Sequence, residues 1–176
     1  MNFILIGIPD SGKSTLGEKA AAALGMSFYD TDKTVGDRIR STHQDLSFYQ
    51  FMDAFRPTEE AVVRDIAGEA KDAVIATGAE TVLSANNVLV LRRSGRFIYI
   101  KRDTDRMLQE IRERFIPDPA RPELRDAREL SVHLYRESMP VYEGLADFIL
   151  ENDGDEKSGL EKLIRLIRAE IDRAKP

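Results

Sequence analysis

Gly7-Ile8-Pro9-Asp10-Ser11-Gly12-Lys13-Ser14 spells out a complete G-x-x-x-x-G-K-S stretch. The apolar run Phe3-Ile4-Leu5-Ile6 precedes it, and Ser14-Thr15-Leu16-Gly17-Glu18-Lys19-Ala20-Ala21-Ala22-Ala23-Leu24, mostly good helix formers, follows it. The pattern therefore falls between a buried strand and a helix N-terminus, the context in which such a loop cradles phosphate. Glycine lets the backbone curl until successive N–H groups point at one anion, and the helix terminus adds unpaired donors and partial positive charge. Lys13 would then reach the outer phosphates of a nucleotide, and the Ser14 hydroxyl would ligate Mg²⁺. Gly7, Pro9, Asp10, Ser11, Gly12 and Thr15 complete the expected nucleotide-binding set.

Along the rest of the chain, apolar runs alternate with amphipathic stretches, the signature of a wound parallel sheet. Strands are expected at Phe3–Ile6, Ser27–Tyr29, Ala73–Thr77, Phe97–Ile100 and Phe148–Leu150. Helices are expected at Lys13–Leu24, Thr34–Arg40, Thr58–Lys71, Ala85–Arg93, Asp103–Arg114, Ala127–Ser138 and Lys157–Arg173. In the last of these, Leu160, Leu163, Ile164, Ile167 and Ile171 recur at helical spacing, so one face packs on the sheet. Two stretches interrupt the alternation. Thr31 to Pro57 is too long for a plain crossover, and Ile116-Pro117-Asp118-Pro119-Ala120-Arg121-Pro122 cannot be continuous helix, because proline lacks a donor and clashes with the preceding turn. These features predict one α/β domain of the P-loop NTPase type over residues 1–176, a three-layer α/β/α arrangement with five parallel strands. A helical substrate-binding excursion near 33–60 and a lid near 114–124 are added to it.

Composition narrows the function. Hydrophobic residues at 42% and charged residues at 32% suit a water-soluble domain with a sizeable core. A net charge of −5 argues against a nucleic-acid partner, and Arg92-Arg93 with Arg96 reads better as a solvated patch. There is no cysteine for a disulfide or thiolate metal site, and His43 and His133 lack the spacing of a zinc site. No run approaches the roughly 18 apolar residues of a membrane span, and the N-terminus enters strand-like sequence without a charged leader. A cytoplasmic monomer with no membrane partner is expected.

Ligands of such sheets bind beyond the carboxyl ends of the strands. The loops after the first three strands carry Gly7–Ser14, Asp30-Thr31-Asp32 and Gly78-Ala79-Glu80, and these should converge on one cleft. Closed over by the two interrupting stretches, such a cleft suggests a kinase. The Asn-Lys-x-Asp element by which a GTPase reads guanine is absent from the sequence, as is the signature motif of an ABC-type ATPase.

Gly7 to Gly17, followed by Leu24-Gly25-Met26-Ser27-Phe28-Tyr29-Asp30-Thr31-Asp32, resembles the shikimate kinase family. Phe55-Arg56-x-x-Glu59, Ala76-Thr77-Gly78-Ala79-Glu80-Thr81-Val82-Leu83-Ser84-x-x-Asn87, Arg121-Pro122, and Pro140-Val141-Tyr142 with Ala146-Asp147 are similar to its later motifs, in order. The resemblance implies ATP and Mg²⁺ as cofactors and a small hydroxylated metabolite as partner. It also implies that Asp30 helps hold the metal and that Asp32 binds the acceptor hydroxyl and takes its proton. Arg56, Gly78, Ala79 and Glu80 fall at its substrate-binding positions, Arg121 at its lid arginine, and Arg114 at an arginine near the base. Taken alone, Asp30 and Asp32 could be turn residues, and Arg56 and Arg114 solvated charges.

Two departures bear on the acceptor. The family has three glycines where this chain has Gly78-Ala79-Glu80, and Ser138 stands where the family places an arginine for the acceptor carboxylate. Arg136 is two residues off register, about 200° around a helix. At an effective dielectric near ~20, two like charges ~4 Å apart repel by about 4 kcal/mol, so Glu80 in the pocket would oppose an anionic acceptor. Glu80 pointing away, neutralisation of Glu80 by Arg56, or a shifted loop register would each remove that conflict. The expected activity is ATP-dependent phosphoryl transfer to a hydroxyl, with shikimate the foremost acceptor. The alternatives are a kinase of another polyol or sugar acid, or a nucleotide-binding protein without turnover.

Overall fold

Strand β1 (Asn2–Ile6) is buried along its whole length, as an unbroken apolar run requires in a sheet covered on both faces. The computed structural model describes residues 1–42, 48–103, 105, 109 and 136–175. In it β1 is joined by β2 (Ser27–Asp30), β3 (Ala73–Ala76), β4 (Gly95–Lys101) and β5 (Phe148–Glu151) in one parallel sheet of order β2-β3-β1-β4-β5. Ile4 registers with Ile75 on one side and Phe97 on the other. The strand order reverses at β1, which places the crevice of the sheet just beyond Ile6.

Helices α1 (Lys13–Leu24), α2 (Thr31–Thr42), α3 (Phe48–Glu69), α4 (Ala85–Ser94), α5 (described over 136–145) and α6 (Glu156–Arg173) cover the sheet. Because alternate strand residues face opposite sides, the core divides in two. Ile4, Ile6, Ile75, Phe97 and Tyr99 pack with Val35, Ile39, Val62, Val63, Leu91 and Tyr142. On the other face Phe3, Leu5, Val74, Ile98 and Ile100 pack with Leu16 and Ala20 of α1 and Leu163 and Ile167 of α6. The expected three-layer α/β/α architecture and five-stranded sheet are what the chain forms.

Two helix boundaries differ from the expected ones for one reason. Pro57 lies inside α3, which begins ten residues before the expected Thr58, and α5 runs on past Ser138 and through Pro140. An interior proline costs a helix about 3 kcal/mol. Packing Ala54 and Phe55 beside Val62, Val63 and Ile66 in one case, and Val141 and Leu145 beside Tyr142 in the other, returns up to about 1.5–3 kcal/mol for each large apolar side chain fully buried, so several together outweigh that cost. The stretch Thr31 to Pro57 is likewise mostly helical, since α2 starts at Thr31 directly from β2 rather than at Thr34. Most of the expected helices at Asp103–Arg114 and Ala127–Ser138, the proline-rich segment, His43 and His133 lie outside the described residues.

Candidate active site

The phosphate loop occupies 7–12, between the end of β1 and the start of α1. Gly7 has φ 144°, and a β-carbon on it would stand 2.7 Å from the Ile100 carbonyl oxygen, so the loop can turn against β4 only with glycine there. Asp10 adopts a left-handed φ of 56°, and Gly12 caps α1 with φ 96°. Ser11 is buried, while Pro9, Asp10, Ser14 and Thr15 are exposed. Two residues beyond the expected set brace the loop from behind. Asn152, just past β5, donates from Nδ2 to the Ser11 carbonyl at 2.9 Å, and Arg102, just past β4, donates to that of Asp10 at 3.3 Å. The signal that could have found both is position: each follows a strand's carboxyl end, where ligand loops gather.

Lys13 is folded into the loop, its Nζ donating to the Ile8 carbonyl at 2.6 Å and lying 3.5 Å from Ser11 Oγ. Burial pushes its ammonium down to about 8, against the opposing pull of Asp32, Asp30 and Asp10. Ser14 Oγ donates to Asp30 Oδ2 at 2.6 Å. The other carboxylate oxygen of Asp30 accepts from the Lys33 N–H at 3.0 Å, and the Asp30 carbonyl accepts from Thr34 Oγ1 at 2.7 Å. Asp30 therefore caps α2 and meets the first turn of α1 at once. A hydroxyl beside a carboxylate suits a hard cation that keeps water and phosphate for its other ligands, as Mg²⁺ does.

Next to the loop opens a cleft of about 360 Å³ lined by Asp32, Phe55, Arg56, Glu59, Gly78, Ala79 and Glu80. This is the size of a small-metabolite site. It unites every expected acceptor residue, and it adds Phe55, one of the aromatic residues crowding the first excursion, and Glu59, to which the sequence alone assigns no role. Asp32 stands in the first turn of α2, not in a loop as expected, because β2 passes straight into the helix. Its carboxyl lies so close to Gly78 that a β-carbon there would overlap Asp32 Oδ1. The Gly78 N–H is held by Thr31 Oγ1 at 3.0 Å. Burial of the carboxyl, then the neighbouring Asp30, raises the pKa of Asp32, even though the residue as a whole is accessible from the cleft. Burial also raises that of Glu59, opposed by a 2.7 Å hydrogen bond from Thr81 and by the charge of Arg56.

Glu80 does not point away. Its Oε2 takes Arg56 Nη2 at 2.5 Å across the cleft, the neutralising arrangement of the three possibilities. Ser138 is buried and Arg136 exposed, as opposite helix faces require, and Arg136 is not among the described residues that line the cleft. Tyr142, one turn after Ser138 and fully buried, donates its hydroxyl to the Ala79 carbonyl at 2.7 Å and fixes the loop after β3. Arg114 and Arg121 lie outside the described residues.

A phosphate-binding loop with a hydroxyl–carboxylate pair for a cation, sharing Asp32's neighbourhood with a metabolite-sized cleft, defines a P-loop phosphotransferase. A model of the family described as shikimate kinase matches residues 9–168, and the chain belongs to that family. It is 34% identical over 170 residues to a shikimate kinase of Methylococcus capsulatus, covering 96% of this chain and 91% of that one. It is 31% identical over 163 residues to a shikimate kinase of Clostridium botulinum, covering 93% and 94%. The fold matches that of a solved shikimate kinase from Acinetobacter baumannii in complex with shikimate, with a TM-score of 0.74, 21% identity and coverage of 99% and 95%. The protein is thus a kinase of the family that transfers phosphate from ATP to a hydroxyl group. Among the described residues no helix is long and apolar enough to cross a membrane.

Proposed function

We propose that this protein phosphorylates a hydroxyl of shikimate at the expense of Mg·ATP, as a cytoplasmic monomer made of one domain. In this reading the excursion near 33–60 forms the acceptor side, and from the family pattern the segment near 114–124 serves as the lid. The observation that carries the reading is the position of Asp32. It lines the acceptor cleft and lies within electrostatic reach of Lys13 in the phosphate loop, so one carboxylate serves both substrates.

The backbone N–H groups of 7–15 hold the phosphates, and Lys13 leaves the Ile8 carbonyl for the transferring group. Ser14 holds Mg²⁺, with Asp30 supporting it; when bound, the cation neutralises phosphate charge. Asp32 accepts a hydrogen bond from the acceptor hydroxyl and takes its proton as the oxygen bonds to the γ-phosphorus and ADP leaves. Its raised pKa suits a group that must receive that proton. Arg56 binds the acceptor carboxylate. From the family pattern, Arg121 stabilises the transferring charge and Arg114 lies near the base. Positioning and electrostatics carry such a reaction, with little covalent chemistry asked of the protein. Phosphorus NMR of a mixture of protein, Mg·ATP and shikimate tests this: a new phosphomonoester signal growing with that of ADP is expected. The same signal should vanish with Asp32→Asn while nucleotide binding persists.

A further inference from the structure

Arg56 is the one cation among the described residues that line the acceptor cleft, against the three carboxylates of Asp32, Glu59 and Glu80. It is already engaged, by Glu80 at 2.5 Å from the far wall. The side chains of the pair are 56% and 51% exposed, so water and an entering ion can reach both. The backbone beneath Glu80 is fixed, since the Ala79 carbonyl accepts from Tyr142 and Glu80 itself has an unstrained φ of −88°. On α5, Ser138 offers no second cation, and Arg136 lies on the exposed face. An acceptor carboxylate entering this cleft must therefore compete for Arg56 with a carboxylate that the chain itself supplies.

We infer that Glu80 is a specificity-setting residue that occupies Arg56 in place of the acceptor's carboxylate, so that an anionic acceptor binds by exchange at Arg56. Glu80 acts through Arg56 and is a positioning residue, not a catalytic one. The inference rests on the proposed carboxylate acceptor and deepens it: the site tolerates an anion but taxes it. A neutral acceptor of the same shape escapes the tax, because it has no need of Arg56. The pair is half exposed and partly screened, so the effect is modest.

Steady-state kinetics with shikimate and with its methyl ester, for the wild type, Glu80→Gln, Glu80→Ala and Glu80→Asp, tests the exchange. Glu80→Gln and Glu80→Ala should lower the KM for shikimate by roughly fivefold, with kcat and the KM for ATP changed less than about twofold. Glu80→Asp, which keeps the charge on a shorter side chain, should lower the KM for shikimate less than either neutral variant does, and the KM for the ester should not fall in any variant. An unchanged or raised KM for shikimate in both neutral variants overturns the inference, and so does an equal fall for the ester. If neither wild type nor variants phosphorylate shikimate while all bind Mg·ATP, the acceptor assignment fails and the inference falls with it.

Discussion

Ser14 and Asp30, sixteen residues apart, meet at 2.6 Å where the first turn of α1 faces the end of β2. The same carboxylate caps α2 through the Lys33 N–H, so one oxygen holds the helix start and the other meets Ser14 at the proposed cation site. Asparagine caps helices about as well as aspartate but carries no charge. Asp30→Asn should thus leave the melting temperature within about 2 °C while shifting half-saturation by Mg²⁺ upward, roughly tenfold. Ser14→Ala should weaken the metal dependence similarly and leave binding of metal-free nucleotide unchanged. Turnover titrated with Mg²⁺ at fixed ATP checks both.

Gly78 is as informative as the charged residues. Any β-carbon there would overlap Asp32 Oδ1, so Gly78→Ala must displace the carboxyl proposed to hold the acceptor hydroxyl. A displacement of about 1 Å in a catalytic group can cost a hundredfold. Gly78→Ala should therefore lower kcat at least about tenfold, with nucleotide affinity, measured by calorimetry, left intact.

Lys13 supplies a pH dependence. Burial lowers it from 10.5 to about 8, so at pH 8 it is about half charged in the free protein. Phosphate binding favours the charged form and should draw in a fraction of a proton at pH 8. Nucleotide affinity should then fall as pH rises from 7 to 9.5. In the folding equilibrium the unfolded chain binds more protons than the native one between pH 8 and 10.5. The cost of burying the charge is therefore full below pH 8 and relieved as pH rises through that window. Calorimetry in two buffers of different ionisation heat measures the uptake, which should disappear in Lys13→Arg, whose charge does not titrate there.

Tyr142 tests the packing under the loop after β3. Its ring is fully buried, 5.3 Å from that of Tyr99, and its hydroxyl holds the Ala79 carbonyl. Tyr142→Phe keeps the ring and strands that carbonyl, costing about 1–2 kcal/mol in denaturant unfolding. Tyr142→Ala also opens a cavity and should cost about 3–5 kcal/mol.

The strand, loop and helix around Gly7–Ser14 were legible because local pattern and tertiary need coincide there: a buried run, a turn that only glycine can make, and a helix start. Asp30, Asp32 and the loop at Gly78 were legible for a topological reason, since they lie at or just beyond the carboxyl ends of neighbouring parallel strands. The passage of α3 across Pro57 and of α5 across Pro140 was not legible, because a local penalty is outweighed there by burial that only the folded sheet provides. The Arg56–Glu80 pair spans 24 residues and two elements, so sequence could offer it only as one of three ways out of a charge conflict. Asn152 and Arg102 brace the phosphate loop through its carbonyls, which no motif records.

Asp32, shared between the phosphate loop and the acceptor cleft, underlies the proposed phosphorylation of shikimate. Release of ADP from Mg·ATP, followed with and without saturating shikimate, tests it most directly. Slow release alone and strong stimulation by shikimate are expected. Absence of stimulation in protein that demonstrably binds Mg·ATP would contradict it.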